Sequence, residues 1–406
     1  MPTGSANLSE ATRRSILLLS FATFASMVAQ RICDAMLPEL SRVFTVELSQ
    51  AARVIWVFAV VYGLAQLIYG PLGDRLGKFR VVTFATLACS IGSMTAVFAT
   101  SLEWLVLSRV MVALGAAAII PLSLAWIGDA VAPDQVQETL ARVGLGTTLG
   151  VGAGQLLGGL LTDWLGWRWV FGFMTLLFSL VGLQLYAHAR RQHNSTSTPV
   201  SEPSRQAIAF GAQALRIVTD DWSRTVLLVA FIEGAAGFGV LAMWASHLHR
   251  VLGLSLSSSG AIVALYGLGG MLYMAVARPL IRRFGERGLA LLGVCLLALS
   301  ALLVAYSPYW PPTVAASFFG GFGFFMFHNT MQANATQMAP GARGTAVSLF
   351  AAALFMGQSL GALLAANLID RIGSTAVIAL GGGVVLLLGV FFAHALRRRA
   401  QLLDPT

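Results

Sequence analysis

Gly70-Pro-Leu-Gly-Asp-Arg-Leu-Gly-Lys78 is followed 208 residues later by Arg278-Pro-Leu-Ile-Arg-Arg-Phe-Gly-Glu286. Each run sets a Pro-Leu pair, then charges, then a glycine, between two long apolar stretches. Near the same offset Gly115 matches Gly323, Gly150 matches Gly357, Gly154 matches Gly361, Asp163 matches Asp370 and Gly166 matches Gly373. Several small and acidic residues recurring at one offset mark an internal repeat about half the chain long.

The stretches between these matches are suited to lipid. Of 406 residues, 57% are hydrophobic and 11% charged, with a mean hydropathy of +0.77. Soluble proteins carry about 25% charged residues. Backbone groups in lipid must be satisfied within the segment, so long apolar runs there are helices. A spanning helix needs about 20 mainly apolar residues. Such spans fall at 16–40, 54–72, 81–100, 104–127, 143–161 and 168–188, then 225–246, 259–280, 288–307, 313–338, 345–368 and 374–396. The expected fold is an all-α polytopic membrane protein, twelve transmembrane helices in two pseudo-symmetric six-helix bundles. The expected divisions are a tail at 1–15, a bundle at 16–188, a linker at 189–224, a bundle at 225–396 and a tail at 397–406. The linker opens Ser/Thr/Pro-rich, a composition that buries no core. From Gln206 to Asp221 it spaces Ile208, Ala212, Leu215 and Val218 at helical intervals. That part reads either as an amphipathic helix on the membrane surface or as plain linker.

Basic residues set the orientation, because cytoplasmic loops of membrane proteins are enriched in them. With both termini inside, 19 of the 26 lie in cytoplasmic segments and five, Arg42, Arg53, Arg168, Arg250 and Arg371, lie outside. Arg31 and Arg109 remain within the membrane. The net charge of +9 therefore reflects topology, and nucleic acid is not an expected partner. The lipid bilayer is. Arginine dominates, with Lys78 the single lysine, which points to a bacterial genome and its inner membrane. Cys33, Cys89 and Cys295 sit in apolar stretches without metal-ligand spacing and read as packing residues. The first apolar run is too long for a signal-peptide core and lacks a small-residue cleavage site.

Gly70-x-Leu72-x-Asp74-Arg75-x-Gly77-Lys78 resembles the loop motif between spans two and three of the major facilitator superfamily. The resemblance covers nearly the whole chain. It implies that Asp74 and Arg75 help close a cytoplasmic gate through charge contacts, with Gly70 and Gly77 permitting the turns. Leu105 to Ala118 resembles the fourth-span motif, with Arg109 at its arginine position. Val112 and Ala113 replace its glutamine and first glycine. The run Gly150-x-x-x-Gly154-x-x-x-Gly158-Gly159 resembles the fifth-span antiporter motif, but Gln155 stands where the family has proline. The glycines still allow close helix packing. Together with Gly166-Trp167-Arg168-Trp169-x-Phe171, these features resemble the twelve-span, drug:proton antiporter-like group.

Ionisable groups at membrane depth are functional candidates because burying them unpaired costs several kcal/mol. Asp34 and Arg109 each lie about six residues, or roughly 9 Å, from the outer ends of their spans. They read either as a proton-sensitive pair or as a permanent ion pair that fixes packing. Arg31, one turn from Asp34, competes for it. Glu233 and His328 fall near one depth in the second half. Their pairing is one reading, and a lone histidine hydrogen-bonded within the bundle is the other. Arg31, Tyr62, Gln66, Trp126, Trp244, Tyr266, Asn329 and Gln332 are candidates for lining a substrate path.

The expected function is secondary active transport by alternating access. The leading form is proton-coupled efflux of small apolar or amphipathic compounds, with small-molecule substrate and protons as partners. The alternative is a proton-coupled uptake symporter for a sugar or organic acid. No nucleotide loop, metal cluster or nucleophile–base set is visible, so no catalytic residue, metal or cofactor is expected and enzyme or sensor readings are remote. One chain carries both repeats, so a monomer is expected to suffice.

Overall fold

The computed structural model describes residues 9–193 and 204–403. The Ser/Thr/Pro-rich stretch at 194–203 lies outside the described residues, as do the extreme termini. Among the described residues the chain forms helices and turns, with no strand. The first half comprises α1 (Glu10–Arg31), α2 (Leu37–Val43), α3 (Leu48–Ala51), α4 (Arg53–Leu76), α5 (Lys78–Val97), α6 (Leu102–Ala130), α7 (Pro133–Leu165) and α8 (Trp167–His193). Then come α9 (Ser204–Thr219), α10 (Asp221–Glu233), α11 (Trp244–Leu252), α12 (Leu256–Tyr306), α13 (Pro311–Gln337), α14 (Arg343–Ile372) and α15 (Ser374–Leu403). Each stretch read as a span is mainly helical, and among the described residues eight segments are long and apolar enough to cross a membrane.

The repeat is visible in backbone geometry. Gly77 and Gly285, equivalent in the two quoted runs, both turn with positive φ, +88° and +62°. Residues with a Cβ avoid that region. At Gly285 the 51-residue α12 changes direction, so two expected spans, 259–280 and 288–307, share one helical element. Spans one and seven are interrupted rather than continuous. α1 stops at Arg31 and the chain turns through 32–36 before α2. α10 runs into a π-helical segment, Gly234–Gly239, before α11. Arg31 and Phe238 are 207 residues apart, so the two interruptions occupy equivalent places in the repeat. Apolar periodicity carries no mark of such breaks, since the segments on either side remain apolar.

Close helix contacts also recur. A Cβ on Gly154 would come within 2.8 Å of Arg31 Cβ, and one on Gly158 within 2.1 Å of Ile32 O, so α7 lies directly on the end of α1. In the second half Gly361 meets Ala235 O, where a Cβ would sit at 2.1 Å. That contact seats α14 on the π-helical segment. Leu64, Ile68, Phe84, Ile91, Leu107 and Leu180 are exposed around the outside, as a lipid-facing surface requires. The second part of the linker is helical, and Thr345 Oγ1 donates to Gln213 Oε1 at 2.7 Å to tie α9 to α14.

Candidate functional site

The four membrane-depth charges turn inward. Arg31 and Asp34 are 0% exposed, and Arg109 and Glu233 are 1% exposed. Arg31 closes α1 and Asp34 lies in the turn that follows, which aims both side chains at the seam between the halves. Arg31 Nη1 lies 3.4 Å from Asp34 Oδ2. The same nitrogen donates to Phe238 O at 3.3 Å, and the guanidinium lies 4.2 Å from the Phe238 ring centroid. Because Arg31 and Phe238 are repeat equivalents, a residue here touches its own counterpart. That contact marks the pseudo-twofold seam. A second helix holds Asp34 as well, with Gln155 Nε2 donating to Oδ2 at 2.7 Å.

The expected Asp34–Arg109 pair does not form. Arg109 donates through Nε to Val54 O at 3.2 Å and through Nη2 to Ala29 O at 2.8 Å, and it stacks 4.1 Å from the Phe58 ring centroid. The depths agree, but helix rotation points the guanidinium at carbonyls of α1 and α4. Arg31 takes the carboxylate instead. In the second half His328 Nδ1 lies 3.2 Å from Glu233 Oε1. The imidazole stacks on Phe324, whose ring also meets Phe238 at 4.4 Å and Tyr266 at 5.7 Å. Aromatic rings thus separate the Arg31–Asp34 pair from the Glu233–His328 pair.

Several polar atoms in this layer are buried without a protein hydrogen-bond partner. They include Arg31 Nε and Nη2, Asp34 Oδ1, Gln155 Oε1, Glu233 Oε2 and the Tyr266 hydroxyl. Such atoms are costly unless another state or a ligand uses them. Trp244 packs edge-on to Tyr266 at 6.1 Å, beside the same layer. Tyr62 is buried between Phe58 and Phe355, the latter at 4.5 Å across the seam, and Gln66 Oε1 on the same helix is buried and unpartnered. Asn329 is half-buried and Gln332 is exposed. Trp126 packs on Phe79 at 5.6 Å, within the first half.

At one end of the molecule the halves are clasped twice. Asp163 Oδ2 accepts from Ser257 N and Oγ, both at 2.6 Å, and its repeat mate Asp370 accepts from Ser49 N at 3.3 Å. An open pocket of about 780 Å³ at that end is lined in part by Arg42, Glu47, His247, Arg250 and Asp370. None of the buried ionisable pairs lines it. At the opposite end Lys78 Nζ meets Asp129 Oδ2 at 2.5 Å and Asp74 Oδ1 at 3.4 Å, all within the first half, while Arg75 is exposed. Glu286, the counterpart of Lys78, accepts from Asn334 Nδ2 at 3.2 Å. No group of His, Cys, Asp and Glu that would hold a metal occurs among the described residues.

The Major Facilitator Superfamily profile matches residues 19–288 and 226–405, which together cover most of the chain. The chain belongs to the Major Facilitator Superfamily. Among curated relatives of this superfamily member, a probable multidrug resistance protein EmrY of Escherichia coli K12 is 24% identical over 60% of this chain and 49% of its own length. A multidrug resistance protein B homolog of Mycobacterium tuberculosis is 27% identical over 62% and 56%. The chain spans about half the length of these curated relatives. A solved structure of a peptide transporter, POT, in complex with sulfate superposes with a TM-score of 0.77 at 16% identity, over 95% of this chain and 94% of that one. At that identity the likeness is one of fold.

Gln155, Phe238 and Asp129 are the participants that sequence reading did not assign. Gln155 carried a signal, since it departs from the family motif in an apolar helix. Phe238 and Asp129 carried none.

Proposed function

We propose that this superfamily member is a proton-coupled exporter of small apolar or amphipathic compounds, working by alternating access. In this reading the chain crosses a bacterial inner membrane twelve times as a monomer with both termini in the cytoplasm. The Asp163/Asp370 end is then the outer one. The clasped arrangement is the state closed to the outside. The observation that carries the proposal is Arg31, whose Nη1 meets Asp34 of its own half and the Phe238 carbonyl of the other half.

While Asp34 is ionised it shares Arg31 with the Phe238 carbonyl and holds the seam shut. A proton on Asp34 removes the charge that fixes Arg31, and the seam is freed to part. Glu233 and His328 form a second buried pair on the other side of the same aromatic layer, able to exchange a proton without contact with lipid. The names of the chain's relatives, multidrug resistance proteins, support export. In inside-out vesicles with an acidic lumen, uptake of an amphipathic fluorescent dye rises with the gradient and collapses when an ionophore abolishes it. Uptake that ignores the gradient refutes the proposal.

A second reading has one observation in its favour: Arg31 Nε and Nη2 lack protein partners. An anionic substrate taken up with protons would satisfy them. Carboxylate uptake in right-side-out vesicles, lost in Arg31→Ala, distinguishes it.

A further inference from the structure

Gln155 occupies the position at which the fifth-span motif has proline, and its surroundings give it work that proline cannot do. Its side-chain amide makes the shortest contact to Asp34, 2.7 Å against 3.4 Å for Arg31, and reaches it from another helix. Gly154 and Gly158 on either side leave no space for a Cβ between α7 and the end of α1, so the reach is fixed. The main chain of Gln155 faces the other half. A Cβ on Gly260 of α12 would lie 2.4 Å from Gln155 O and 3.4 Å from Ala35 Cβ. One residue therefore touches the carboxylate with its side chain and the opposite bundle with its backbone.

An amide is the side chain that can serve both forms of a carboxyl group. Its NH2 donates to a carboxylate, and its carbonyl accepts from a carboxylic acid after a half-turn about the last side-chain bond. Gln155 Nε2 is engaged with Asp34, whereas Gln155 Oε1 is buried and has no protein partner. Among the described residues, the ionisable groups facing Asp34 are Arg31 and Cys33 on its own segment and Arg109 from α6, with Tyr266 of α12 facing Arg31. Of these, Arg31 is the one bonded to it.

We propose that Gln155 is the positioning residue for Asp34: it holds the carboxylate against Arg31, reverses its amide when Asp34 takes up a proton, and passes that change to the α7–α12 seam. The inference rests on the reading of Asp34 as a proton carrier.

The test measures dye uptake into inside-out vesicles across a pH series for the natural protein, Asp34→Asn, Gln155→Met and the double variant Asp34→Asn/Gln155→Glu. Asp34→Asn is expected to abolish the pH dependence. If it keeps the natural pH profile, the proton-carrier reading of Asp34 itself fails. Gln155→Met removes a bond that is stronger to the charged carboxylate than, after reversal, to the neutral acid, so the midpoint of the uptake curve moves to higher pH by about 1 unit, while dye affinity well above both midpoints, where Asp34 is ionised in either protein, changes by less than about twofold. An unmoved midpoint, with the pH dependence lost in Asp34→Asn, overturns the role of Gln155 alone. The double variant exchanges amide and carboxylate across the same bond, and it decides the matter if Gln155→Met does not fold. pH-driven uptake about tenfold above Asp34→Asn supports the proposal; uptake equal to Asp34→Asn overturns it.

Discussion

Replacing Arg31 with methionine tests the seam most sharply, because it keeps a long apolar stem and removes what crosses between the halves. The lost contacts are the 3.3 Å bond to Phe238 O and the 4.2 Å stacking on the Phe238 ring. A hydrogen bond from a charged group contributes about 1.5–3 kcal/mol. A desolvated cation–π contact contributes about 2 kcal/mol. The bond is long for its type, so the low end applies and the closed state loses about 3.5 kcal/mol. At about 1.4 kcal/mol per tenfold, that shifts the closed-to-open ratio at this end by roughly three-hundredfold. The substitution also leaves Asp34 buried without its cation. The double variant Arg31→Met/Asp34→Asn removes both charges and is expected to shift in the same direction. Spin labels at Val43 and Val251, exposed on opposite halves near this end, report the separation once Cys33, Cys89 and Cys295 are replaced. Both variants should show a longer-distance population that the parent lacks. An unchanged distance distribution in both refutes the assignment of Arg31 as a link across the seam.

Two further outcomes concern stability. Gly260→Ala would place a methyl group 2.4 Å from Gln155 O, against backbone that cannot rotate away, and overpacking of this kind costs about 1–3 kcal/mol. Gly70→Ala meets nothing within 4 Å in a helix, where alanine is favoured by up to about 1 kcal/mol. Thermal unfolding in detergent should therefore fall for the first and hold or rise for the second. Asp220 caps α10 by accepting from Ser223 N at 2.9 Å, and the backbone and hydroxyl bonds from Ser223 hold its carboxyl below the usual aspartate range. Asp220→Ala should cost about 1 kcal/mol at neutral pH. That contribution is full above the ordinary aspartate pKa of about 3.9 and fades as pH falls through the lower folded value, so parent and variant converge in acid unfolding.

The repeat and the helical, membrane-embedded character were legible because they rest on composition and on glycines that no other residue replaces. Gly77 and Gly285 announced one turn twice, and Gly154 and Gly361 announced one close approach twice. Depth along a helix was legible too, since it follows from counting residues: it put Glu233 level with His328, and the two side chains lie 3.2 Å apart. Rotation about the helix axis was not. Arg109 shares the depth of Asp34 yet faces the carbonyls of Ala29 and Val54. The breaks after Arg31 and Glu233 leave no trace in apolar periodicity, and the π-helical segment that brings Phe238 to Arg31 is seated on α14 through its own glycines, where a Cβ on Gly234 would lie 2.0 Å from Leu354 O. Gln155 was visible as a departure from a pattern. Its purpose became apparent only with Asp34 beside it.

Competition between substrate and proton for one buried seam is the claim on which everything else depends, and linkage makes it directly measurable. Purified protein in weakly buffered detergent, with a pH indicator present, should release protons when an amphipathic dye binds. Release should vanish in Asp34→Asn/Glu233→Gln although the dye still binds. Equal proton release from that variant and from the natural protein would contradict the account.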